Sequence, residues 1–235
     1  MAIDLNAPVV GAYCERASSG FWAEPFNAGS SLLVIVFGFA AVGYLLRSRL
    51  VTPLIMVLMG LAVAIGIGSF LLHTFATRWA ELADVIPIWA FVVVYGVAVA
   101  RKFSPNSVSM TTTLLFGVIV FGAGTALSMG DKLVLADEIS GSSQYLPAGL
   151  MIASVLRLLW KDRHPSLLMI GLAALLFIAA LAFRSLDQPL CSLWPIGTHF
   201  LWHMTNSIVF WLLLSALVVH DPANSSRLGK TQSIS

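Results

Sequence analysis

Long apolar runs dominate the chain, recurring at residues 30–46, 54–72, 83–100, 111–127, 146–160, 166–183 and 197–219. Several are shorter than the ~20 residues that cross a ~30 Å hydrocarbon core, but each extends through Gly, Ser or Thr neighbours. A bilayer interior offers no water to backbone polar groups, so each run must satisfy its own as a helix. The pattern predicts an all-α, polytopic membrane protein of seven transmembrane helices, with short links that make neighbours antiparallel. The fifth run is the least regular, because Asp137, Glu138 and Gln144 crowd its start. Three regions are expected: an N-terminal extracytoplasmic segment (1–27), the seven-helix domain (28–220) and a flexible polar cytoplasmic tail (221–235). The N-terminus lacks a basic stretch followed by an apolar core, so no cleavable signal peptide is expected.

Composition agrees with this reading. The 235 residues are 58% hydrophobic and 10% charged, against about 25% charged in soluble domains. The few charges set the orientation. With the N-terminus outside, cytoplasmic segments hold Arg47, Arg49, Arg101, Lys102, Arg157, Lys161, Arg163, Arg227 and Lys230. The outer segments hold only Arg16, Arg78, Lys132 and Arg184. This asymmetry predicts N-out and C-in. It also accounts for most of the net charge of +2, which forms no basic face of the kind nucleic acid needs. Both cysteines, Cys14 and Cys191, then fall on the outer side, where an oxidising compartment permits a disulfide; two unrelated free thiols are the alternative.

Against this apolar background a few polar side chains stand out. His199 and His203 are one helical turn apart, on one face, with about 5–6 Å between their β-carbons. Ser69 and His73 repeat that spacing on the second predicted helix, and Asp84 opens the third. In the predicted topology all five lie in the outer half of the membrane at similar depth. Polar groups inside a bilayer are costly unless they pair or bind something, which marks the cluster as a functional site. Three histidines with one open position are the ligand set of a catalytic zinc. A zinc ion held by neutral ligands lowers the pKa of bound water to about 7. Asp84 is then placed to take or orient the proton, and Ser69 to donate to a developing oxyanion. Each residue also has a plainer use: histidines bonding a neighbouring carbonyl, Ser69 bonding its own helix, Asp84 capping a helix. His164 and His220 sit in polar cytoplasmic segments and are read as solvated. Trp22, Trp79, Trp194 and Tyr13 are read as interfacial anchors, and Arg184 and Asp187 as a pair at the end of the sixth helix.

At these residues the chain resembles the alkaline ceramidases, within a wider superfamily of seven-helix membrane hydrolases that includes the adiponectin-receptor-like proteins. The matching pieces are Gly66-Ile67-Gly68-Ser69-x-x-x-His73-Thr74, Asp84-Val85-Ile86-Pro87 and His199-x-x-x-His203. Tyr13-Cys14-Glu15, Glu24-Pro25-x-Asn27 and Asp187-x-x-x-Cys191 extend the likeness over nearly the whole chain. The resemblance implies hydrolysis of the amide of ceramide, or of a related N-acyl membrane lipid, to a sphingoid base and a fatty acid. It implies zinc on His73, His199 and His203, completion of the site by Ser69 and Asp84, and a Cys14–Cys191 disulfide. Some members carry calcium near the N-terminus, but Ala12 and Ala17 stand where two oxygen ligands would be. A site wanting six to eight oxygens is thereby depleted, which argues against calcium. Glu24 retains a possible use in a buried hydrogen bond to neighbouring helices. Val85 stands where the family often has a second acid.

The competing function is a seven-helix receptor or transport protein in which zinc only ties helices together. A retinal-binding pump is excluded, since it needs a Schiff-base lysine in its last helix and residues 197–219 contain none.

Overall fold

The computed structural model describes residues 4–9, 13–47, 52–103, 119–120, 122–123, 142–161 and 163–218. Among these the regular structure is helical: α1 (Pro25–Ser31), α2 (Leu33–Arg47), α3 (Pro53–Phe75), α4 (Arg78–Phe103), α5 (Leu146–Lys161), α6 (Leu167–Leu190) and α7 (His199–Val218). A short 3-10 turn, Ser142–Tyr145, leads into α5. No strand occurs among the described residues.

Four helices, α3, α4, α6 and α7, are long and apolar enough to cross a membrane. The expectation of seven is therefore met in part. The first predicted run is divided between α1 and α2, and the fifth is the 16-residue α5. The fourth run, 111–127, falls outside the described residues except at 119–120 and 122–123, and the tail 221–235 lies wholly outside them.

Local chemistry explains the boundaries. The chain turns helical at Pro25, ahead of the apolar run, because proline suits the first helical position. The Glu15 carboxylate, reaching over from the N-terminal segment, accepts the free amides of Phe26 (2.7 Å) and Asn27 (2.9 Å). α3 begins with Thr52 accepting from Ile55 N–H at 3.3 Å and Pro53 next to it. It ends at Ala76, whose left-handed backbone (φ 46°) returns its N–H to Leu72. α4 follows at once, so α3 and α4 form a tight antiparallel pair. At Gly68 the two backbones approach closely: a β-carbon there would overlap the Ala83 carbonyl and the Asp84 amide. That contact sets Ser69 and Asp84 side by side across the hairpin.

α7 is the most enclosed of the four long helices: 61% of its span is buried, against 22% for α6. It packs on α6 and α2, while α1 wedges between α3 and α7. The outer face of α6, with Leu168, Leu175 and Ile178 exposed, is the apolar surface a lipid-facing helix requires. The N-terminal segment is docked: Pro8 bridges Thr77, and Val9 N–H bonds Ala76 C=O at 2.7 Å. A Cys14–Cys191 disulfide, with Cα atoms 5.3 Å apart, ties the same segment to the loop before α7.

Candidate metal centre

His73 lies in the last turns of α3; His199 and His203 lie in the first turns of α7. The three imidazoles converge, with ring centroids 5.2 Å (His73–His199), 4.9 Å (His73–His203) and 4.7 Å (His199–His203) apart. One nitrogen from each ring lies within 4.8 Å of the others, and all three residues are buried. The outer nitrogens of two of them are fixed by neighbours. His73 Nδ1 bonds the Glu24 carboxylate at 2.6 Å. His203 Nδ1 faces Ser30 Oγ at 3.0 Å, while its Nε2 lies 3.3 Å from Ser69 Oγ. Nε2 is thus the free donor atom of His73. His199 Nδ1 is buried without a hydrogen-bond partner among the described residues. A carboxylate-oriented imidazole, a hydroxyl-oriented imidazole and an orphaned buried ring nitrogen together fit a divalent metal held by nitrogen ligands.

The neighbours are held in turn. Glu24 is 2% exposed and also takes Asn27 Nδ2 at 3.0 Å and the Arg16 guanidinium. Arg16 continues to the backbone carbonyl of His73 at 2.8 Å. Burial pushes the Glu24 carboxyl upward, but His73, Asn27 and Arg16 outweigh it and hold the pKa below the usual range. The buried hydrogen bond expected of Glu24 is therefore present, directed at a histidine of the site. Both acids of the N-terminal motif are engaged by protein donors, Glu15 by two amides and Glu24 by a guanidinium.

His199 is positioned through the backbone. Asp187, 2% exposed near the end of α6, accepts Thr198 N–H (2.7 Å), His199 N–H (2.9 Å) and Cys14 N–H (2.9 Å). It caps α7 from a neighbouring helix and ties in the N-terminal segment. Gly197 adopts φ 71° beside it, where a β-carbon would strike the Asp187 carboxylate and Cys14. This corrects the expected Arg184–Asp187 pair: the aspartate is consumed by three amides, and no ion pair joins the two among the described residues.

Below the histidines lies an apolar cavity of about 80 Å³. Ser69, Asp84, Arg184, His199 and His203 line its polar end; Ile152, Val92 and Leu213 line its far end. His199 and Leu213 are 14 positions apart on α7, or about 21 Å at the helical rise. The five residues singled out in the sequence thus meet in one place: Ser69, Asp84, His199 and His203 on the cavity wall, His73 directly behind. Reasoning from sequence missed Arg184 as a wall residue and Ser30 as a partner of His203. Tyr13, read as an interfacial anchor, instead stacks on His199 with centroids 4.0 Å apart. Trp22 and Trp194 are exposed, as anchors would be.

A sequence model of the ceramidase family matches residues 11–227. No curated protein matches the chain. The match takes in the N-terminal motif, the α3–α4 hairpin and the His-x-x-x-His turn of α7 in a single alignment, so the resemblance holds over the length that builds the site. The chain belongs to the ceramidase family and is a hydrolase of the ceramide type, acting on an amide bond.

Proposed function

We propose that the protein is a zinc-dependent intramembrane amidase that cleaves ceramide or a related N-acyl lipid to a long-chain base and a fatty acid. One observation supports this above the others: three buried imidazoles from two helices meet at the polar mouth of an apolar cavity that Ser69 and Asp84 also line. His73, His199 and His203 would hold the metal, which when bound supplies a Lewis acid for the amide carbonyl and lowers the pKa of water.

The chain's own groups account for the rest. The acyl chain lies along the apolar wall, between Val92, Ile152 and Leu213. That placement brings the amide to the polar end by hydrophobic burial, worth about 0.8 kcal/mol per methylene. Ser69 Oγ donates to the carbonyl oxygen as negative charge grows on it. The Asp84 carboxylate takes the proton of the attacking water and returns it to the departing amine nitrogen. Glu24 and Ser30 keep the His73 and His203 rings in fixed tautomer and orientation. Tyr13, stacked on His199, covers the site from the N-terminal side and limits water entry. The excess of Lys and Arg in the predicted inner segments supports a site in the outer half of the membrane, as does the Cys14–Cys191 disulfide.

The test is metal analysis of purified protein together with mass spectrometry of the products from a panel of N-acyl lipids. The reading expects one zinc per chain, and release of long-chain base and fatty acid that chelation abolishes and zinc restores. Undiminished hydrolysis by metal-free protein would end it.

A further inference from the structure

Arg184 is a cation without an adequate partner. It sits on α6 at the junction of two cavities. With Asp84 and Tyr145 it lines both the deep apolar cavity and a second cavity of about 100 Å³ bounded by Tyr13, Glu81 and Gln144. Its guanidinium carbon lies over three rings, 5.8 Å from the centre of Tyr13 and 5.5 Å from those of Tyr145 and Trp202. Those contacts cushion the charge but accept few of its five N–H donors. The hydrogen bond it makes among the described residues is a long one, NH1 to Tyr13 Oη at 3.5 Å. Its Nε is buried with no partner. Asp84 shares the walls but forms no ion pair with it among the described residues. Arg184 as a whole is half-buried, and charges withdrawn even partly from water are ordinarily paired and hydrogen-bonded, because desolvating them is otherwise costly. A planar fork of unused donors, at the polar end of an apolar cavity, is the complement of a planar anion on a hydrocarbon chain.

We propose that Arg184 is a carboxylate anchor: it binds the head group of a long-chain fatty acid whose tail enters the apolar cavity. The inference rests on the amidase reading for where that acid comes from. Hydrolysis of the neutral amide adds water across the C–N bond; the acyl carbon keeps the new oxygen, and the amine leaves with its proton. The acyl half thereby becomes an anion only after cleavage, and only then can it take two parallel N–H bonds from a guanidinium. Arg184 thus distinguishes product from substrate. The enzyme should retain its acid product and be inhibited by it.

The experiment compares binding of palmitic acid with binding of its methyl ester, to metal-depleted protein in detergent micelles, by isothermal titration calorimetry. Wild type, Arg184→Lys and Arg184→Gln are measured, with thermal melts to establish folding. The ester carries the same chain without the charge. A hydrogen bond to a charged group is worth about 1.5–3 kcal/mol, so Arg184→Gln should weaken acid binding by about 10–100-fold. Ester binding should not change, and Arg184→Lys should fall between. Product inhibition in the metal-loaded enzyme should be relieved in the same order. Equal loss of acid and ester binding in Arg184→Gln would reduce the residue to packing and overturn the proposal, as would equal acid affinity in wild type and Arg184→Gln. Should Arg184→Gln fail to fold, the acid-to-ester preference of Arg184→Lys against wild type decides: an unchanged preference overturns the proposal. Arg184-dependent acid binding by a protein that cleaves no N-acyl lipid would sink the amidase reading and leave the anchor standing.

Discussion

Removing the Glu24 carboxylate should strike the site in two separable ways. Its Oε2 holds His73 Nδ1 at 2.6 Å, and its Oε1 pairs with Arg16, whose side chain is 8% exposed. Loss of an outer-shell partner of a ligating histidine costs about 10–100-fold in metal affinity, equivalent to about 1.4–2.8 kcal/mol. Breaking a buried ion pair by deleting one member costs about 3–5 kcal/mol, because the other charge is stranded. Glu24→Ala should therefore melt at lower temperature even without metal, and should also bind zinc more weakly. Glu24→Gln keeps an acceptor for His73 while losing the charge, so its zinc affinity should lie between wild type and Glu24→Ala. Adding Arg16→Gln to Glu24→Ala removes the stranded guanidinium. The double variant should regain part of the thermal loss and none of the metal affinity. Zinc affinity is read by competition with a chromogenic chelator, stability by thermal melting of the metal-free protein. A folded Glu24→Ala variant that binds zinc as tightly as wild type would refute the reasoning.

Four further outcomes follow from the same geometry. His203→Ala should lose both bound metal and turnover, whereas Asp84→Asn should keep the metal and lose turnover by about 10²–10⁴-fold, the usual share of a general acid–base group; metal content and rate measured on one preparation check both. Asp187→Ala should destabilise the start of α7 by more than the 0.5–2 kcal/mol, roughly, of an ordinary cap, because it frees three amides instead of one, and hydrogen exchange at Thr198 and His199 should rise. Cys14→Ser/Cys191→Ser should lower stability by about 2–4 kcal/mol, seen as a lower melting temperature, with zinc still bound.

The pair His199 and His203 was legible in the sequence because helical periodicity alone puts positions four apart on one face. The convergence with Ser69, His73 and Asp84 was legible because short links between spanning helices leave little freedom in depth. Other features depend on rotations and dockings that no spacing encodes. Arg184 and Asp187 are three positions apart on a helix, the arrangement of a surface ion pair. Yet three amides at the turn into α7 compete for Asp187 and win, and α6 is rotated so that Arg184 enters the cavity. Tyr13 looked like a membrane-interface aromatic until the docked N-terminal segment placed its ring on His199. Glu24 stood out as part of a motif, but its partner lies 49 positions away and is reached only because α1 wedges between α3 and α7. The start of α1 ahead of the first apolar run reflects local capping by Glu15, which hydropathy does not register.

Zinc K-edge X-ray absorption of the purified, enzymatically active protein reaches the central claim with the fewest intermediate steps. The account predicts one zinc per chain with imidazole back-scattering from three ligands at about 2.0–2.1 Å, and a diminished imidazole count in any His203→Ala protein that still retains metal. An active enzyme whose spectrum shows no histidine ligation, or which holds no metal at all, would contradict it.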